Sequence, residues 1–331
     1  MKIGVLIMAA DCEPSISNVE TMKNTFIKYA QENNLRNTYD FLIYHGILES
    51  DDIADTENCT LIEEDTGHNN GNVYRIIVPT GDYIYRSFEK TIYALEYIDM
   101  QGMTYDLYVR INISSYVNIH MLDRFADKFD EDTVYCNAIN AIVGDDRYLN
   151  DLCPRGDFYV FSEKVRKGIV DKGKKYLYLD TAKKNRINVD HVDDVMVGIS
   201  LIDFFGIHYY RHLKMLKYNY FPYNNEDFKT NRNITLDYRC ICTRVKTVPP
   251  GETYSGYSWD DNEWRRQDCT KMEKIDQLFN TVPEDKYDSV TFESQLVDEK
   301  TGRPTLMTYI NTETVDKFYK YLDCKKDRPL L

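Results

Sequence analysis

The chain lacks any uninterrupted apolar run of the roughly 18 residues that a membrane-spanning helix needs. Its eight cysteines are spread over 331 residues, too sparsely for a disulfide scaffold. The first apolar run is short and meets Asp11, Glu13 and Pro14, which fits a buried strand better than a secretory leader. We therefore expect reduced thiols and a cytoplasmic location, the host cytoplasm if the chain is viral.

Zinc-ligand spacings, linkers and repeats are also lacking. Cys240 and Cys242 are separated by one residue and have no second ligand pair, so a structural zinc site is not favoured. Neither a Pro-rich or Gly/Ser-rich spacer nor an internal repeat divides the chain. We expect two closely joined lobes, residues 1–118 and 119–247, followed by a C-terminal extension, residues 248–331.

The charge of the chain is acidic but unevenly distributed. A net charge of −13 argues against a protein that simply coats nucleic acid. Residues 163–186, however, hold nine Lys or Arg against three acids. This basic run is compatible with a solvated helix face and also with a site for a polyanionic partner such as DNA.

Apolar patterns predict an α/β fold with a mostly parallel central sheet flanked by helices. Residues 2–9 (KIGVLIMA) and 40–45 (DFLIYH) are nearly continuous apolar runs, typical of strands covered on both faces. Between them, Val19, Met22 and Phe26 recur at helical spacing. The order strand, helix, strand indicates the start of a parallel sheet.

The remaining patterns extend this sheet. We expect strands at 74–78, 106–112, 133–136 and 158–161, helices around 88–98 and from near Ser162 and Val192, irregular structure at 49–72, and a turn at 79–81. Ligands of open parallel sheets bind beyond the carboxyl ends of the strands. Residues 9–13, 79–83 and 110–115 are therefore expected to face one crevice.

Four segments resemble those of one enzyme superfamily. Residues 82–91 (DYIYRSFEKT) are similar to a D-x-Y-x-N-L-T-x-K-T segment, and residues 108–118 (YVRINISSYVN) resemble a strand that ends in an acidic triplet before V-F-V-N. Residues 155–162 (RGDFYVFS) resemble a Gly-rich turn and aromatic strand, and residues 190–198 (DHVDDVMVG) resemble an acidic pair followed by glycine at a helix start. The superfamily is that of the β-1,3-galactosyltransferases and Fringe-like enzymes, which are GT-A glycosyltransferases.

The resemblance implies a GT-A, Rossmann-like fold and an inverting transfer of a sugar from a nucleotide donor, a UDP-sugar. It makes residues 1–118 the nucleotide-sugar-binding lobe and residues 119–247 the acceptor and catalytic lobe. Residues 248–331 become an extension with a lid loop. The partners that it implies are a nucleotide-sugar donor and a carbohydrate or glycoconjugate acceptor.

The acidic pair carries the expected catalysis. Two carboxylates at a helix start are stabilised by the free N–H groups and the helix dipole, which accounts for Asp193 and Asp194 without any reaction. In a sugar transfer, however, the acceptor hydroxyl loses a proton as it attacks, and a fixed carboxylate accepts it. We expect Asp194 to be that base and Asp193 to cap the helix or support its neighbour.

The resemblance and the expected crevice also assign binding residues. For the donor they are Ala9, Ala10, Asp11, Asp82, Lys90, Arg110, Asn112 and Ser114. For the acceptor they are Arg155, Gly156 and Asp157, together with Trp259 and Trp264 in a loop rich in Tyr and Asp that would stack on a sugar.

Metal use is left open by the sequence. The resemblance implies a divalent cation, Mn²⁺ or Mg²⁺, held by a D-x-D motif, but Asn112 and Ser114 occupy the positions of its acids. A neutral amide and a hydroxyl are weak ligands for a hard cation. Asn112, Ser114 and His208 are the metal candidates, and protein cations are the alternative.

Two alternative functions remain open at this point. One is the same catalyst acting on hydroxymethylated bases of phage-type DNA, with the basic residues 163–186 as the contact surface. The other is a non-catalytic GT-A-like sugar-binding module, which the loss of the acidic motif would permit.

Overall fold

The computed structural model describes residues 1–47, 59–65, 70–82, 86–137, 139–141, 152–177, 192–206, 209–216, 218–220, 236–247 and 262–290. The strands, in chain order, are β1 (Lys2–Met8), β2 (Thr38–Ile47), β3 (Thr60–Asp65), β4 (Asn72–Gly81), β5 (Leu107–Asn112), β6 (Ser115–Val117), β7 (Val134–Cys136), β8 (Ile139–Ala141), β9 (Leu152–Pro154), β10 (Phe158–Ser162), β11 (Leu213–Met215), β12 (Tyr218–Tyr220) and β13 (Cys242–Arg244).

The helices are α1 (Ser15–Met22), α2 (Lys28–Glu32), α3 (Ser87–Met100), α4 (Ile119–Ala126), α5 (Glu163–Leu177), α6 (Val192–Phe205), α7 (Asn262–Asn280) and α8 (Glu284–Asp288). A π-helical turn, Lys23–Ile27, joins α1 to α2, and a 3₁₀ turn, Tyr209–His212, precedes β11. None of the helices in these described ranges is long and apolar enough to cross a membrane.

The central sheet has eight strands in the order β11-β7-β10-β5-β1-β2-β4-β3. Strands β5, β1, β2 and β4 are parallel neighbours, and Val5 lies opposite Phe41 in β2 and Val109 in β5. Strands β3 and β10 run antiparallel to their neighbours, whereas β11 is parallel to β7. The expected α/β fold with a mixed, mostly parallel sheet is confirmed.

Two buried clusters cover the two faces of this sheet. On one face, Val5 and Ile7 pack with side chains of α1, α4 and α7. On the other face, Leu6 packs with side chains of α3, α5 and α6. Because successive residues of a strand point to opposite faces, a strand in this position must be apolar on both faces, as residues 3–8 of β1 are.

A smaller sheet, in the order β12-β13-β6, stands beside the carboxyl end of β5. Strand β6 begins three residues after β5 ends, and β13 pairs with it antiparallel, with Arg244 opposite Ser115. This pairing brings a residue from far along the chain to the corner between β5 and β6.

Three sequence expectations differ from the structure. Residues 60–65 form the edge strand β3 within the stretch expected to be irregular, and the expected turn at 79–81 is the end of β4. Strand β3 carries acids, and Thr60, Ile62 and Glu63 are exposed, so its sequence (TLIEED) lacks the continuous apolar run of a central strand. Trp264 lies in helix α7 rather than in a loop, and Trp259 lies outside the described residues.

Candidate active site

Asp82 lies directly after β4, and its carboxylate forms hydrogen bonds to residues at the carboxyl ends of the parallel strands β1 and β2. Its Oδ1 accepts hydrogen bonds from Lys90 Nζ at 2.7 Å and from the Gly46 N–H at 3.1 Å. Its Oδ2 accepts from the Asp11 N–H at 2.6 Å, and Lys90 also donates to the Ala9 carbonyl at 3.2 Å. Both side chains are buried. The pair therefore holds the loop after β1 in contact with Asp82; residue 83 of the expected crevice lies outside the described residues.

Arg110 of β5 anchors the start of helix α6. Its side chain is only 1% exposed, and its guanidinium forms an ion pair with Asp193. The same guanidinium lies 5.5 Å from the centre of the Tyr159 ring and 3.2 Å from Met8 Sδ. Thr91 donates to the other carboxylate oxygen of Asp193 at 2.9 Å. Asp193 is thus held by internal contacts that dock α6 on the sheet.

Asp194 lies next to this anchor and is only partly buried. The Gly156 N–H donates to its carboxylate. A methyl group at position 156 would overlap Asp194 Oδ1 and lie 2.8 Å from Arg110 Nη1, so the close approach requires glycine. Arg110 Nε and Nη1 have no hydrogen-bond partner among the described residues. The acid pair and the Gly156 turn, expected from the sequence to belong to one site, are in contact.

The surroundings of Asp194 change its acidity. Removal of the carboxylate from water and the neighbouring charge of Asp193 raise the pKa of Asp194 to about 6, while Arg110 and the Gly156 N–H act in the opposite direction. A carboxylate with a pKa near the working pH is an effective proton acceptor. Asp193 and Asp194 therefore have different environments: Asp193 is ion-paired with the buried Arg110, and Asp194 is partly exposed and accepts from the Gly156 N–H.

The corner between β5 and β6 does not fit a divalent cation. Asn112 Oδ1 accepts hydrogen bonds from the Ser114 N–H at 3.2 Å, from Ser115 Oγ at 3.0 Å, and from the guanidinium of Arg244. An amide oxygen that is surrounded by donors, one of them cationic, is a poor ligand for a metal that prefers carboxylates. Within the described ranges no group of three or more His, Cys, Asp and Glu side chains is placed to hold a metal, and His208 lies outside them.

The acceptor candidates form a second network beside this corner. Arg155 donates to both oxygens of Asp157, at 3.0 and 2.8 Å, and Asn137 donates to the same carboxylate at 3.1 Å. Ser115 Oγ donates to the Asp157 carbonyl at 2.7 Å. Burial disfavours the charged carboxylate, but Arg155 and Arg244 outweigh burial and hold the pKa of Asp157 below its usual value. Asp157 therefore remains anionic, in an ion pair with Arg155 and near the charge of Arg244.

Arg244 is the residue of this site that the sequence reasoning missed. It interrupts the apolar run 240–245 (CICTRV), and a lone charge in such a run is usually paired when buried. That signal indicates a partner without identifying it, because the partner Asn112 lies 132 residues earlier in the chain.

The basic run 163–186 is described only for its first part, which forms α5. Each basic side chain of α5 lies within ion-pair distance of an acid. The pairs are Lys164 with Asp132, Arg166 with Glu163 and Asp99, Lys167 with Glu163, Lys172 with Asp171, Lys174 with Glu96, and Lys175 with Asp203. This part of the run therefore has acidic partners along its length.

No protein-family model matches the sequence, and no curated protein matches it. The structure is similar to that of the glycosyltransferase GlyE of Streptococcus pneumoniae TIGR4, at 10% identity and a TM-score of 0.36, over 88% of this chain and 66% of that one. The apo form of GlyE gives a TM-score of 0.33 at 10% identity, over 89% and 66% of the two chains.

The structure is also similar to mouse xyloside xylosyltransferase 1 in its apo form, at 7% identity and a TM-score of 0.36, over 74% of this chain and 97% of that one. The chain spans slightly less than two thirds of the length of GlyE. At these TM-scores the similarity identifies no reaction, so any reaction has to be argued from the side chains at the carboxyl edge of the sheet.

Proposed function

We propose that the chain is an inverting glycosyltransferase that moves a sugar from a nucleotide donor, a UDP-sugar, to a hydroxyl of a carbohydrate or glycoconjugate. The observation that carries this proposal is Asp194, a partly buried carboxylate with a pKa of about 6 at the carboxyl edge of a parallel sheet. Its position matches the edge where open α/β sheets bind ligands.

The proposed reaction is a single displacement. The acceptor hydroxyl oxygen attacks the anomeric carbon, and its proton passes to the Asp194 carboxylate. The bond from the anomeric carbon to the diphosphate oxygen breaks, and its electron pair leaves with the nucleoside diphosphate. Attack on the face opposite the leaving group inverts the anomeric centre, as in inverting glycosidases.

Asp193 acts as a positioning residue in this proposal. Its ion pair with Arg110 and its hydrogen bond from Thr91 hold the first turn of α6 against the sheet. Its negative charge also contributes to the raised pKa of Asp194. The buried ion pair of Asp82 and Lys90 likewise acts as a positioning pair in this proposal. Its hydrogen bonds to the backbone of residues 9–11 hold the proposed donor loop in place.

The test begins with donors. Purified protein is screened for thermal stabilisation by nucleotide sugars, because a ligand that binds the folded state raises the unfolding temperature. Nucleotide diphosphate release is then measured with glycan acceptors for the wild type and for Asp194→Asn. We expect the variant to bind the donor like the wild type and to lose transfer. Transfer by the variant would contradict the assignment of Asp194.

The alternatives are outcomes of the same test. Donor binding without release of nucleotide diphosphate, with any acceptor, would indicate a binding module instead of an enzyme. Label transferred to hydroxymethylated DNA would indicate the DNA acceptor. The ion-paired basic side chains of α5 do not favour that acceptor, because surface cations that already have acidic neighbours attract phosphates less strongly.

A further inference from the structure

We propose that Arg244 takes the place of a divalent cation in this chain and binds the diphosphate of the donor, so that donor binding does not depend on metal. This inference rests on the proposed function, since it concerns the leaving group of that reaction. Its first support is the placement of Arg244 by β13 against Asn112, at the end of β5, where a metal-holding acid would otherwise stand.

The second support is the chemistry of the corner. Residues 112–115 (NISS) contain no carboxylate, so this turn has no charge with which to hold a divalent cation. The Asn112 side-chain oxygen instead accepts a hydrogen bond from the guanidinium of Arg244. This bond fixes the orientation of the arginine side chain. The Ser115 hydroxyl lies 3.5 Å from the same guanidinium nitrogen.

The third support is that three other cations at this edge are ion-paired with carboxylates. Lys90 is ion-paired with Asp82, Arg110 with Asp193, and Arg155 with both oxygens of Asp157. Arg244 has a neutral amide and a hydroxyl among its contacts, and it also lies near enough to Asp157 to lower the pKa of that acid. The direct ion pair of Asp157 is with Arg155, and Arg244 acts on that carboxylate through its charge.

The fourth support is the match between guanidinium and phosphate. A departing diphosphate accumulates negative charge, which positioned donors stabilise most strongly in a site removed from water. The planar fork of arginine donates two parallel hydrogen bonds to phosphate oxygens and keeps its charge at all working pH values. Arg244 is 4% exposed and is held on a strand, so little side-chain entropy remains to be lost on binding.

The experiment compares the binding of UDP and uridine, by calorimetry, in EDTA and in Mn²⁺. We expect the wild type to bind UDP in EDTA with nearly the same affinity as in Mn²⁺. Arg244→Gln should weaken UDP binding roughly 10- to 100-fold, the usual cost of a lost charge-assisted hydrogen bond, and leave uridine binding unchanged. The matched control is Arg239→Gln, which removes an exposed arginine paired with Asp237 before β13.

Four outcomes would overturn the inference. UDP binding that requires Mn²⁺, or that is unchanged in Arg244→Gln, would refute it while leaving the proposed function intact. Absence of nucleotide binding in the wild type would refute both. If Arg244→Gln does not fold, the wild-type protein is tested instead, by measuring whether inorganic diphosphate competes with UDP for binding. Competition with UDP in EDTA supports the inference, and competition only in Mn²⁺ refutes it.

Discussion

Replacing Asp194 with asparagine is expected to stabilise the protein at pH 7 while it abolishes transfer. The pKa of Asp194 is raised from its ordinary value of 3.8 to about 6, so its ionised form is less favourable in the folded than in the unfolded chain. A shift of one unit corresponds to about 1.4 kcal/mol. Two units, reduced for a side chain that is only partly buried, give a gain of about 1–3 kcal/mol for the neutral amide.

The sign of this effect depends on pH. A carboxyl whose folded pKa lies above its unfolded value destabilises the folded state at pH values above both, and this penalty disappears as pH falls towards the unfolded value. The gain from Asp194→Asn should therefore be complete near pH 7 and fall to about a third at pH 4.5. Urea denaturation of wild type and variant at these two values measures it directly.

The neighbouring acid supplies the matched control. Asp193→Asn leaves the buried guanidinium of Arg110 without its ion-pair partner, so we expect a loss of about 3–5 kcal/mol at pH 7. Adjacent, chemically identical substitutions should thus change stability in opposite directions. An Asp194→Asn variant that is less stable than wild type at pH 7, or whose gain is the same at pH 4.5, would refute the electrostatic reasoning.

Three further predictions concern the same edge of the sheet. The kcat/KM of the wild type should fall about tenfold per pH unit below an apparent pKa near 6, as the pH profile of transfer will show; a fall only near pH 4 would indicate an unperturbed base. Gly156→Ala should lower kcat about 100-fold, because its methyl group displaces the Asp194 carboxylate; unchanged kcat in steady-state assays would contradict this. Asp82→Asn should cost about 3–5 kcal/mol in denaturant titrations, since it leaves Lys90 buried without its anion, and a loss below about 1 kcal/mol would show that the pair is not a structural anchor.

The parallel core of the fold was predictable because its strands are buried on both faces. Runs such as 3–9 and 41–44 are apolar because their side chains fill both faces, and such runs are visible in one sequence. Strand β3 was not predicted. An edge strand pairs with a single neighbouring strand and tolerates acidic side chains, so it lacks the apolar pattern of a central strand. Helix α7 has Met272, Ile275 and Phe279 at helical spacing, a weak signal because the residues between them are polar or charged.

The site was predictable only where its residues lie close to the ends of predicted strands. Asp82 and Arg110 lie near the ends of predicted strands, and Asp193 and Asp194 lie at a predicted helix start, so these positions could be read from the sequence. The contact between Asn112 and Arg244 depends instead on the antiparallel pairing of β6 with β13, two three-residue strands far apart in the chain. Short strands of this kind have too little pattern to predict their partners.

The distribution of charge at this edge explains why a separate cation is needed for the leaving group. Arg110 is ion-paired with Asp193, and the charge of Asp193 raises the pKa of Asp194, the proposed base. If Arg110 instead faced a diphosphate, Asp193 would lose its partner and the base would lose its fixed neighbour. Lys90 is committed in the same way to Asp82, which holds the loop after β1. In the proposed reaction, activation of the base and stabilisation of the leaving group therefore involve different cations, and we propose Arg244 of β13 for the second role.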